Sequence, residues 1–91
     1  MARPARHVRI TGRVQGVFFR AWAQQQAREL GVSGWIRNAD DRSVEAHVEG
    51  DEAAVKALIQ RLWQGPPAAD VENVEVEDTA PEGLGGFEVR H

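Results

Sequence analysis

The sequence predicts an α+β fold with the element order β-α-β-β-α-β and a short further strand at the C-terminus. Three observations carry the prediction. The segments His7–Val14, Val44–Val48 and Val71–Asp78 alternate apolar and polar residues with the two-residue period of a half-buried strand. Two stretches, Ala21–Leu30 and the one that follows Asp51, place apolar residues at the spacing of a helix face. Each stretch stops at a glycine, Gly31 or Gly65, and Pro66-Pro67 reinforces the second stop.

In the first strand Val8, Ile10 and Val14 share one face, and Gly12 interrupts it where a bend or a close backbone approach is expected. The first helix carries Phe19, Ala23, Ala27 and Leu30 on one stripe with Trp22 beside it. Val32–Asn38 reads as the second strand, although Trp35 and Ile36 are both bulky and its facing stays open. Ala39-Asp40-Asp41-Arg42 then forms a hairpin turn to a strand with Val44, Ala46 and Val48 inward and Glu45, His47 and Glu49 outward. Asp51 suits the N-cap of the second helix, whose Val55, Leu58, Ile59 and Leu62 form an apolar stripe. The fourth strand points Val74 and Val76 inward and Glu75 and Glu77 outward, and Phe87–Arg90 is the short last strand. This order is the split βαβ of ferredoxin-like folds: an antiparallel sheet with two helices on one face, in one domain spanning residues 1–91. Many unrelated functions use that fold, so function has to be read from a site.

Composition narrows the choice. The 91 residues contain no cysteine, which excludes a disulfide scaffold, a thiolate metal site and any cysteine nucleophile. No apolar run approaches the ~20 residues that span a bilayer, and the basic start MARPARH lacks a signal-peptide core. A cytoplasmic, monomeric protein that engages neither membrane nor nucleic acid is expected. The net charge of −3 hides an asymmetry: residues 1–28 hold six arginines and no acid, while all 14 acidic residues follow. Ordinary surface patterning and an anionic ligand near the N-terminal third both fit this distribution.

The connection between the first strand and the first helix favours the second reading. A helix start has about four unpaired N–H groups and roughly half a positive charge. Val17, Phe18, Phe19 and Arg20, the residues ahead of Ala21, offer no capping side chain. Gly16 can take the positive φ that turns successive N–H groups into one concavity, and Arg20 supplies a planar fork suited to a tetrahedral oxyanion. Val17 and Phe18 would restrict water at the rim, with Phe19 in the core. A plain βα connection whose donors meet water fits the spacing equally well.

The string GRVQGVFFRAW, residues 12–22, resembles the first signature of the acylphosphatase family, and GWIRN, residues 34–38, resembles the start of the second. Val44 and Gly50 fit the later positions of that second signature, and Phe87-Glu88-Val89-Arg90 resembles the family's last strand. The resemblance implies a ferredoxin-like fold and hydrolysis of acyl phosphates to a carboxylate and inorganic phosphate. It implies that Arg20 binds phosphate, that Asn38 orients water, and that the backbone amides of Gln15, Gly16, Val17, Phe18, Phe19 and Arg20 cradle the phosphoryl group. It implies no cofactor and no metal, with inorganic phosphate as product and competitor. One departure stands out: Arg42 follows Asp41 where the family usually has glycine, so a strained or different turn is expected at the hairpin tip.

The chemistry agrees with that implication. Neither motif holds a nucleophile or a histidine, and the neutral amide of Asn38 can only hold and aim a water. Such a site works when the leaving group departs without a proton, as a carboxylate does with a conjugate-acid pKa of about 4. His7, His47 and His91 read as solvated or terminal, Trp22 and Trp63 as core or edge packing, and Glu72, Glu75 and Glu77 as a charged strand face. Two alternatives remain. One is a non-catalytic anion-binding module. The other is RNA binding on the sheet, disfavoured because the first and third strands carry no aromatic residue.

Overall fold

The computed structural model describes residues 4–91. Arg3, counted above with the basic N-terminal segment, lies outside the described residues. The elements are β1 (Ala5–Arg13), α1 (Phe19–Leu30), β2 (Ser33–Asn38), β3 (Val44–Glu49), α2 (Glu52–Gln64), β4 (Asp70–Thr79) and β5 (Phe87–Arg90). They form one five-stranded sheet in the order β4-β1-β3-β2-β5. The β4, β1, β3 and β2 neighbours pair antiparallel, as expected for the β-α-β-β-α-β unit. The C-terminal strand β5 adds to β2 in parallel, with Ile36 opposite Val89, so the complete sheet is mixed. No helix among the described residues is long and apolar enough to cross a membrane.

The alternation in β1 and β3 sends Val8, Ile10, Val44, Ala46 and Val48 to the helix-covered face, where all are buried. Phe19, Ala23 and Ala27 of α1 and Val55, Leu58 and Leu62 of α2 close over them. Ile36 is fully buried in this core, so its neighbour Trp35 must face the other side of the sheet. That settles the facing of β2. On the edge strand β4, Val74 is buried but Val76 is 41% exposed, contrary to the expectation that both point into the core. An edge strand has a neighbour on one side only, which leaves its outer residues uncovered. Trp63, read as core or edge packing, is 47% exposed on α2, which excludes the core. Asp51 stands at the N-cap of α2, yet its side chain makes no capping hydrogen bond.

Two backbone details shape the region around the first connection. β1 bulges between Thr11 and Gly12, and Gly12 has φ 118°. A Cβ there would overlap the carbonyl oxygen of Asp70 and crowd the nitrogen of Glu72, so the β1–β4 contact requires glycine. At the β2–β3 hairpin, Arg42 takes φ 73° and donates its N–H to the carbonyl of Ala39 at 3.2 Å. The turn is thus a three-residue loop closed by a left-handed residue, the geometry a glycine would give. Arg42 bears the strain of that φ, about 1–2 kcal/mol. The Asp41 carboxylate holds the turn by accepting the backbone N–H and the hydroxyl of Ser43, and it also pairs with Arg9.

Because β3 runs against both β1 and β2, and β5 runs with β2, the strands β1, β2 and β5 point the same way. Their C-terminal ends meet at one end of the sheet. That brings together the loop after Arg13, the end of β2 at Asn38 and the end of β5 at Arg90.

Candidate active site

Residues 14–18 leave β1 and turn into α1. Gly16 takes φ 75° and Phe18 takes φ 60°, ψ 25°. The helix starts at Phe19, two residues before the position read from the sequence, so Phe18 is the N-cap and Arg20 lies in the first turn. No side chain caps this start. The N–H of Trp22 donates to the carbonyl of Phe18 at 3.0 Å, and that of Val14 to Gly12 at 3.1 Å. Among the described residues, the backbone N–H groups between them, from 15 to 21, donate to no protein acceptor. The positive φ at residue 16 and again at residue 18 is what lets successive amides turn toward one concavity, as in an anion-binding nest.

Val17 and Phe19, which flank the exposed Phe18, are anchored in the core with 7% and 2% exposure. Val17 therefore does not form part of the rim, as the sequence suggested; its side chain fastens the loop to the fold. A cleft of about 420 Å³ opens beside the loop, and Gly16, Phe18, Arg20, Asn38, Val89 and His91 are among its lining residues. The structure thus brings Arg20 and Asn38 to one cleft with the amide-bearing loop.

The Arg20 guanidinium donates from Nη1 to the carbonyl of Arg90 at 2.9 Å and lies 3.2 Å from His91 Nδ1. These contacts engage one nitrogen and leave the donors of Nη2 and Nε. The arginines of the N-terminal segment divide between two uses. Arg6 pairs with Asp78 and Arg9 with Asp41, so the charge asymmetry is partly absorbed by surface ion pairs, while Arg20 faces the cleft.

Sequence reasoning assigned Gln15 only a backbone role, but its side chain joins the two signatures. Gln15 Nε2 donates to the carbonyls of Ala39 and Ser43, both at 2.9 Å. Ala39 directly follows Asn38, so this amide fixes the loop against the strand end that presents Asn38. A glutamine beside a glycine in a loop gives no local signal of such a partner 24 residues away.

The opposite face of the sheet holds a second correction. His47 and Glu49 were expected in solvent, yet they are 2% and 5% exposed. The chain between β4 and β5 passes over them. Glu49 accepts the backbone N–H groups of Glu82 at 2.7 Å and Leu84 at 2.6 Å, and Trp35 stacks on His47 with ring centroids 6.2 Å apart. Burial pushes the Glu49 carboxyl up, but hydrogen bonds from His47 and the two amides outweigh it and hold the group below its ordinary 4.5. This cluster sits apart from the cleft. Among the described residues, no group of three or more His, Cys, Asp or Glu side chains has the arrangement of a metal site.

The acylphosphatase family model matches residues 6–89 of the chain. An acylphosphatase from Thermococcus kodakarensis is 55% identical over 89 residues, 98% of each chain. One from Haloarcula marismortui is 49% identical over 90 residues, 99% of each chain. Among solved structures, an acylphosphatase from Coxiella burnetii superposes with a TM-score of 0.93 at 38% identity, covering 98% of this chain and 94% of the other.

Proposed function

Since the chain belongs to the acylphosphatase family and is a hydrolase of acyl phosphates, we propose that the loop amides of residues 15–20 and Arg20 bind the phosphoryl group while Asn38 aims the attacking water. The observation that carries this reading is the run of free backbone donors from 15 to 21 beside Arg20 and Asn38 in one cleft. Amides and guanidinium are fixed dipoles and charge that need no reorganisation as negative charge builds on the equatorial oxygens.

The side-chain amide of Asn38 has one carbonyl oxygen and two N–H donors, so it can hold a water without removing its proton. The water oxygen attacks phosphorus in line with the departing oxygen, and the P–O bond to the acyl group breaks. The bonding pair leaves on the carboxylate, and the water's proton passes to a phosphate oxygen. A dianionic acyl phosphate and water thus give a carboxylate and dihydrogen phosphate, with no protein acid or base. Inorganic phosphate, carrying the group the loop binds, competes with substrate. The protein acts as a monomer, a reading supported by the scatter of its large exposed apolar residues, Phe18, Trp63 and Val76, over separate elements.

The test is steady-state hydrolysis of benzoyl phosphate by wild type and Asn38→Ala, with inorganic phosphate as competitor. The variant is expected to lose kcat by about 10²-fold or more while phosphate inhibits it as in wild type. An unchanged kcat would reject the role given to Asn38.

A further inference from the structure

Phe18 carries two energetic costs at one position. It is 86% exposed, the most exposed of the large apolar residues among the described ones, although both its neighbours are buried. It also adopts the left-handed conformation that disfavours every residue with a Cβ. Among the described residues, Arg42 alone shares that property outside glycine, and Arg42 closes a hairpin. The backbone of residue 18 has a task, since its carbonyl accepts the N–H of Trp22, but glycine would perform it without strain. An exposed aromatic ring on a strained backbone returns nothing to folding. Such residues persist where function holds them.

The position of the ring shows what that function is. Phe18 lines the same cleft as Arg20 and Asn38, and the apolar residues Ala21 and Val89 line it too. With the phosphoryl oxygens taken by the loop amides and Arg20, the acyl group is the part of the substrate left outside the loop. It meets the rim, where the left-handed turn at residue 18 holds the ring out of the core. A flat apolar ring offers stacking and apolar contact, and it offers no partner to an anionic group.

We propose that Phe18 is a specificity-determining residue that receives the acyl group, favouring acyl phosphates with an aromatic or bulky apolar acyl part over small or negatively charged ones. The inference rests on the placement of phosphate in the loop. Contact with the acyl group adds binding shared by ground state and transition state, so its loss raises KM more than it lowers kcat.

The experiment compares kcat/KM for benzoyl phosphate and acetyl phosphate in wild type, Phe18→Ala, Phe18→Gly and Phe18→Tyr. The ratio of the two substrates cancels any general disturbance of the loop. It is expected to fall about tenfold in Phe18→Ala and Phe18→Gly, mainly through KM, and to stay within about twofold of wild type in Phe18→Tyr, which keeps the ring. Phe18→Gly also relieves the backbone, so its melting temperature reports that the chain is folded. An unchanged ratio in Phe18→Ala and Phe18→Gly would overturn the proposal. Inorganic phosphate is titrated as inhibitor in parallel. Competition by phosphate together with an unchanged ratio rejects the role of Phe18 alone, whereas failure of phosphate to compete in wild type rejects the phosphate site and the proposal built on it.

Discussion

His47 Nε2 lies 2.8 Å from Glu49 Oε2, and both side chains are buried on the sheet face that carries no helix. Nδ1 of the same ring is 3.5 Å from Glu82 Oε2, and the Trp35 indole donates to Glu82 Oε1 at 3.3 Å. The segment between β4 and β5 is therefore fastened to the sheet by its Glu82 and Leu84 amides at Glu49 and by the Glu82 carboxylate at His47 and Trp35. It leads into β5, the strand whose last carbonyl holds Arg20.

Glu49→Gln is expected to lower stability by about 1–3 kcal/mol. Glutamine has one acceptor oxygen, so one of the amides of Glu82 and Leu84 loses its partner. The pH dependence follows from the direction of the Glu49 shift. Its folded pKa lies below the ordinary 4.5, so the unfolded chain takes up the proton more readily. The contribution is fully present above that value and is lost as pH falls through the folded pKa. Melting curves across the acid range should show the gap between wild type and variant narrowing below about pH 4.5. A gap that stays constant with pH would argue against the carboxylate as the anchor.

The buried pair also shows where sequence reading stops. In β3, Glu45, His47 and Glu49 alternate with Val44, Ala46 and Val48, and local periodicity assigns the polar set to solvent. Periodicity records which face a residue is on, not whether a distant segment crosses that face. The cover comes from residues 82 and 84, more than 30 positions away. Elements whose burial is decided locally were legible: the inward residues of β1, the stripes of α1 and α2, and the left-handed stop at Gly31. The uncapped loop was legible for the same reason, since capping depends on the few residues before the helix. The parallel docking of β5, the exposure of Val76 at the sheet edge and the reach of the Gln15 side chain depend on chain-distant neighbours and left no local trace.

Gln15→Ala removes the only side-chain link between the loop and the Ala39 and Ser43 carbonyls among the described residues. Asn38 and the loop amides are then free to shift relative to one another. Near-attack geometry is sensitive on the scale of an ångström, so kcat should fall about 10- to 100-fold while inhibition by phosphate changes less than about threefold. Single-substrate kinetics with phosphate titration separates the two. A loss confined to phosphate affinity would place Gln15 in the cradle instead.

Gly12→Ala should destabilise the fold by about 3 kcal/mol, because a Cβ at φ 118° meets backbone atoms of Asp70 and Glu72 that cannot move without parting β1 from β4. For a chain of this size that corresponds to a drop in melting temperature of about 12–24 °C. Thermal unfolding by circular dichroism measures it directly. A change under about 3 °C would mean that the bulge adapts with little strain.

Arg20→Lys tests whether the guanidinium acts as a fork or as a charge. In the structure Arg20 Nη1 is committed to the Arg90 carbonyl, and Nη2 and Nε carry the donors available to phosphate. A lysine has a single nitrogen on a flexible stem, so it must give up either the Arg90 carbonyl or the paired approach to two phosphate oxygens. The charge is retained, so any loss reports geometry. We expect kcat/KM for benzoyl phosphate to fall about 100-fold, near 3 kcal/mol of transition-state stabilisation, with weaker inhibition by phosphate. Arg20→Ala, lacking charge as well, should lose more. If the lysine variant instead kept kcat/KM within about threefold of wild type, Arg20 would be acting as a point charge and its bond to the Arg90 carbonyl would have no part in orienting it.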